Sequence, residues 1–89
     1  MRIVVEEAFV ARGPGVLVMP RFVVKAPARG VFEVRLRTPD GGERSAKASM
    51  ETMHVSGPTG TFAMLRLPEL SPQEVPAGTE IGWDQPPRA

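Results

Sequence analysis

Phe32-Glu33-Val34-Arg35-Leu36-Arg37 alternates without a fault, with Phe32, Val34 and Leu36 on one side and Glu33, Arg35 and Arg37 on the other. That period of two is what a sheet with one buried and one wet face requires. Thr61–Leu67 carries the same period through Ala63, Leu65 and Leu67. Arg2–Val10 is rich in β-branched and aromatic residues, with Ile3, Val5 and Phe9 in phase and Glu7 interrupting their face. Val16–Met19 is an unbroken apolar run suited to a strand covered on both faces, and Pro20 predicts its end or a bulge. Arg21–Lys25 resumes the extended pattern, and Gly78–Trp83 reads as a closing strand.

Turn sequences separate these runs: Gly13-Pro14-Gly15, Pro27–Gly30, Thr38-Pro39-Asp40-Gly41-Gly42 and Gly57-Pro58-Thr59-Gly60. In the third, Pro presets φ while Asp-Gly and Gly-Gly supply positive φ, so a hairpin into Glu43–Glu51 is predicted. There Ala46, Ala48 and Met50 alternate with Ser45, Lys47, Ser49 and Glu51. Ala46, Met50 and Met53 also fall at helical spacing, so 43–56 has two readings, and the hairpin turn before it favours the strand. One short helical turn is predicted near Ser71–Val75. Ser71 suits its N-cap, Pro72 its first position and Glu74 the reciprocal acceptor, while Leu70 and Val75 are placed as a hydrophobic staple.

Ten prolines and nine glycines leave no stretch long enough for an all-helical domain. Short strands with frequent turns point to an all-β fold, a small antiparallel barrel of about six strands. A chain of 89 residues allows one core, so residues 1–84 are expected to form a single domain and 85–89 a flexible tail. No cysteine is present, which removes disulfides and cysteine-based metal sites. No apolar run approaches the ~18 residues of a membrane span, so no membrane partner and a cytoplasmic location are expected. Net charge is only +1, but residues 1–49 carry nine Arg/Lys against five Asp/Glu, and residues 50–89 two against five.

Val5-Glu6-Glu7-Ala8-Phe9, followed by Arg12-Gly13-Pro14-Gly15-Val16-Leu17-Val18-Met19-Pro20-Arg21-Phe22, is similar to the opening of the second domain of translational GTPases such as elongation factor Tu. Leu70–Ile81 resembles that family's apolar-Ser-x-x-Glu-apolar-x-x-Gly-x-apolar-apolar segment before its last strand. Gly60 and Ala63–Leu67 match its Gly-rich turn and buried strand, and 38–57 aligns most loosely. The resemblance implies a closed Greek-key barrel, with Gly13 and Gly15 permitting the tight turn between its first strands. In the family this domain helps hold the aminoacylated end of tRNA. Here an Asn position falls on Phe62, Val55 stands where the family has Arg, and Met19-Pro20 replaces Thr-Gly. The sequence contains no Gly-x-x-x-x-Gly-Lys-Ser/Thr phosphate loop. The expectation is a stand-alone barrel that is not an enzyme and takes no nucleotide and no cofactor.

Candidate chemistry is sparse. His54 is the only imidazole, without a cysteine or a ligand spacing beside it, and reads as a surface residue with no catalytic or metal role. Arg21, Arg35, Arg37 and Lys47 could form a basic outer stripe for RNA or the ribosome, although Glu33, Glu43 and Glu51 are interleaved with it. Phe62 and Trp83 are the plausible exposed rings for base stacking. Phe62, Met64 and Arg66 lie opposite Ala63, Leu65 and Leu67 and would anchor a protein partner or a homodimer, unless a loop or the tail covers them. The leading expectation is a non-enzymatic protein-interaction module; the alternative is an RNA- or ribosome-binding protein.

Overall fold

A computed structural model describes residues 1–24, 30–53 and 61–84. Its strands are β1 (Arg2–Val4), β2 (Glu7–Val10), β3 (Val16–Val24), β4 (Phe32–Arg37), β5 (Glu43–Met53), β6 (Thr61–Leu67) and β7 (Glu80–Gly82). They form one antiparallel sheet in the order β1-β7-β4-β5-β6-β3-β2, curled as a half-barrel around a single core. No helix among the described residues is long and apolar enough to cross a membrane.

The β4–β5 hairpin follows from its turn. Thr38 donates its N–H to Gly42 O at 2.9 Å, and Asp40 Oδ1 accepts the Gly42 N–H at 3.1 Å and the Thr38 hydroxyl. These donors hold the Asp40 carboxyl below its ordinary value. The register pairs Val34 with Ala46 and Phe32 with Ala48, so the apolar halves of both strands share the core face. Residues 43–53 are therefore strand, because pairing with β4 and then β6 outweighs their helical spacing.

The N-terminal run divides in two, which makes seven strands where about six were expected. Val5 donates its N–H to Thr79 O at 2.8 Å, and the next residue, Glu6, donates to Met19 O at 2.9 Å. The chain thus passes from β7 to β3 within one peptide. This bend shifts the side-chain phase: Ile3 and Val5 are buried, but Ala8 and not Phe9 packs on the core beyond it. Phe9 lies instead beside Leu17 on the outer face. Around Pro20 the β3–β6 register shifts between Val18 and Phe22, the bulge its missing N–H predicted.

Val16, Val18, Val34, Ala48, Leu65, Leu67 and Ile81 are wholly enclosed. Trp83 is only 6% exposed, with its ring centroid 5.6 Å from Phe22 and 6.1 Å from Phe32. It caps one end of the core, which corrects the expectation of an exposed stacking ring. His54, Val55, the Gly57–Gly60 turn, Lys25, most of the Pro27–Gly30 turn and the 85–89 tail lie outside the described residues.

Pro72–Glu74 is a single 3₁₀ turn. Glu74 Oε1 accepts the Ser71 N–H at 2.9 Å and the Ser71 hydroxyl at 3.0 Å, while Oε2 takes Arg44 Nη1 at 2.8 Å. Leu70 and Val75 are buried beside it. The Ser71 backbone bond, then its hydroxyl, then Arg44 hold the Glu74 carboxyl below its ordinary value. A lowered folded value means stability that is complete above the titration of an unfolded glutamate, about 4.3, and lost as pH falls through the folded value. Glu74→Gln is therefore expected to be less stable than the native protein at pH 7, with the gap shrinking in urea titrations run below pH 4.

Candidate interaction faces

The outer face of β7, β4 and β5 carries the predicted basic stripe. Arg35, Arg37 and Lys47 are all exposed there. Their neighbours are set by register. Lys47 sits opposite Glu33, Arg37 lies between Glu43 and Glu80, and Arg35 lies between Ser45 and Gly82. With Arg2 on β1, four cations share this face with three carboxylates, Glu33, Glu43 and Glu80, so most of its charge is offset. Arg2 forms an ion pair with Glu80 at 3.2 Å. Arg21 is not part of this stripe. It lies on β3 with its guanidinium 5.8 Å from the centre of the Phe62 ring.

The β6 triad is divided. Phe62 is half-buried, whereas Met64 is 8% and Arg66 6% exposed. The cover over Arg66 is the turn between β2 and β3: Arg66 Nη1 donates to Pro14 O at 2.7 Å and Nη2 to Arg12 O at 2.8 Å. Its Nε lies 3.3 Å from Glu51 Oε2. All three nitrogens are spent within the molecule, so Arg66 is a clamp on its own turn and offers nothing to a partner. Met64 and Arg66 therefore drop out of the expected anchor, and Phe62 stays at its margin.

Several apolar residues missed in the sequence pattern replace them. Leu17 and Met19 on β3 point away from the core because Val16 and Val18 point into it. Phe9 pairs with Leu17, and Val23, 48% exposed, pairs with Phe62. Phe9, Leu17, Met19, Val23 and Phe62 thus share one outer face across β2, β3 and β6. The run Val16–Met19 hinted at this, since an unbroken apolar stretch puts side chains on both sides of a strand.

On the opposite end, an open cleft of about 470 Å³ runs between the β4–β5 turn and the 3₁₀ turn. Arg44 and Glu74 cross it as an ion pair, and Asp40 and Glu43 also line it. Comparison of the chain with protein-family models, with curated proteins and with solved structures yields no match.

Proposed function

We propose that this chain is a non-enzymatic binding module that docks a protein on the outer face of β2, β3 and β6. The observation that carries the reading is the gathering of Phe9, Leu17, Met19, Val23 and Phe62 on that face. Val23 is exposed and the other four are half-buried, and such a cluster beside charged neighbours, here Glu7 and Arg21, has the make-up of a protein-contact surface. The RNA alternative finds less support, because each stretch of the basic stripe has a carboxylate in register beside it except at Arg35. Carboxylates interleaved with the cations oppose the approach of phosphates.

The finer fold belongs to the same proposal: a Greek-key barrel related to the second domain of translational GTPases, with residues 1–10 bringing the two ends of the sheet together. The strand hand-over at Val5–Glu6 supports it. For the function, immobilised protein is expected to retain a nuclease-insensitive protein from its host's lysate, and Val23→Glu is expected to abolish that retention with Tm unchanged. Retention of RNA that weakens with salt and with Arg35→Ala plus Arg37→Ala would transfer the function to nucleic acid.

A further inference from the structure

We propose that the seam between β1 and β3, beyond the Glu6–Met19 bond, accepts an extended segment of another polypeptide as an added strand. This goes beyond the outer-face reading, because the recognition is through main-chain groups, and the two surfaces share only Val23.

β1 and β2 are the two end strands of the sheet, yet they are consecutive in the chain. Along β1, the Met1 amine donates to Trp83 O at 2.6 Å, Trp83 N–H to Met1 O at 2.9 Å, and Val5 N–H to Thr79 O at 2.8 Å. In an antiparallel ladder these groups alternate in direction, so the N–H and C=O of Arg2 and Val4 face away from β7. On the other lip, β3 pairs with β2 only over Val16–Met19, while Phe22–Val24 pair with β6 on their far side. Among the described residues, no backbone bond joins Arg2–Val4 to Arg21–Val24. Two strand edges therefore lead away from Glu6–Met19 on the same side of the sheet, with donors and acceptors that no described residue pairs.

Exposed edges in soluble proteins are normally blunted by charge, proline or cover. Here the lips carry Arg2, Pro20 and Arg21, but two exposed valines stand beside them. Val4 is 53% and Val23 48% exposed, and Met1, next along β1, is 56% exposed. These are three of the five large apolar residues exposed among those described. Beneath the seam lie the half-buried Phe22 and the Trp83 ring against it.

An isolated extended segment fits this geometry best, since only a strand with both edges free bonds both lips at once. A second folded copy brings strands already paired on one side. It could meet one lip over a few residues, far short of the ~1,200–2,000 Å² of a stable interface. The chain's own Gln85-Pro86-Pro87-Arg88-Ala89 is poorly suited by composition, because two successive prolines have no N–H to donate. Alternate side chains of an added strand would land on Phe22 and Trp83 within and beside Val4 and Val23 outside. The partner is accordingly an extended segment of alternating β-branched residues.

The test uses the full chain and a capped six-residue peptide alternating valine and threonine. Trp83, the only tryptophan, is expected to report saturable binding by fluorescence, and the Arg2 and Val4 amides are expected to become protected from hydrogen exchange. The same peptide methylated on alternate backbone nitrogens is expected to bind about tenfold more weakly, having lost its donors. Val4→Lys, a change on an exposed lip, is expected to weaken binding with Tm unchanged. No saturable response up to millimolar peptide would overturn the proposal. So would equal binding of the methylated peptide, or protection confined to Phe9, Leu17 and Phe62. Any of these results leaves the Val23→Glu retention experiment to decide the outer-face reading by itself.

Discussion

Gly15→Ala is expected to remove most of the protein's folding stability. The Gly15 Cα lies against the peptide that ends β6, and a Cβ there would stand 2.0 Å from Leu67 O and 2.5 Å from Pro68 Cα. Both obstacles are backbone, so no side-chain rotation relieves them. The residue also holds φ at +68°, in the left-handed region that costs an L-residue about 1–2 kcal/mol. Relief would require moving the start of β3 off β6, although Val16 and Leu67 are register partners and both wholly buried. A cost of at least about 4 kcal/mol is expected, against the roughly 5–15 kcal/mol that holds an ordinary domain together. Urea titration followed by Trp83 fluorescence measures it. Gly41→Ala is the control. Its φ is +94° but nothing lies within 4 Å of the new Cβ, so only the conformational cost of about 1–2 kcal/mol is expected. Equal losses at the two positions would show that contact with the Leu67–Pro68 peptide has no part in the effect.

The second large effect is expected at Arg66. Arg66→Met keeps much of the apolar stem but removes the bonds to the Arg12 and Pro14 carbonyls and the ion pair with Glu51. Glu51 is 49% exposed and regains water, so the loss is that of the charge-assisted bonds rather than of a stranded buried charge. A destabilisation of about 2–3 kcal/mol follows. The distinguishing readout is local. With the clamp gone, the exposed Arg12–Gly13 peptide is expected to become a fast trypsin site, while the β4–β5 hairpin keeps its hydrogen-exchange protection. Unchanged cleavage at Arg12 would mean that the turn holds its shape without the guanidinium.

Arg66 also shows how far a pattern along the chain can be read. Its parity on β6 was legible, since it alternates with Leu65 and Leu67, and parity predicts the outer face correctly. An outer-face position is not for that reason an exposed one. The turn that covers it lies more than fifty positions earlier, and nothing in the local pattern announces a pair of carbonyl oxygens waiting there. Trp83, a plausible exposed ring by sequence, is likewise buried. Phe22 and Phe32, from two other strands, close around it. For the basic stripe, Arg35, Arg37 and Lys47 were placed on the right face, but Glu80 beside Arg37 comes from β7 and belongs to no local pattern.

Local chemistry was sufficient wherever the deciding interaction spans a few residues. The Thr38–Gly42 turn and the Ser71–Glu74 capping box are each closed by partners two to four positions apart. Their side chains and backbone preferences act before any tertiary contact forms. What the order of residues left open is everything that depends on two distant segments meeting: the passage of the N-terminal run from β7 to β3, and the resulting exchange of Ala8 for Phe9 at the core. A strand's pleat states which side chains share a face. Only the neighbouring strands determine whether that face is wet, and where the ladder has no neighbour at all.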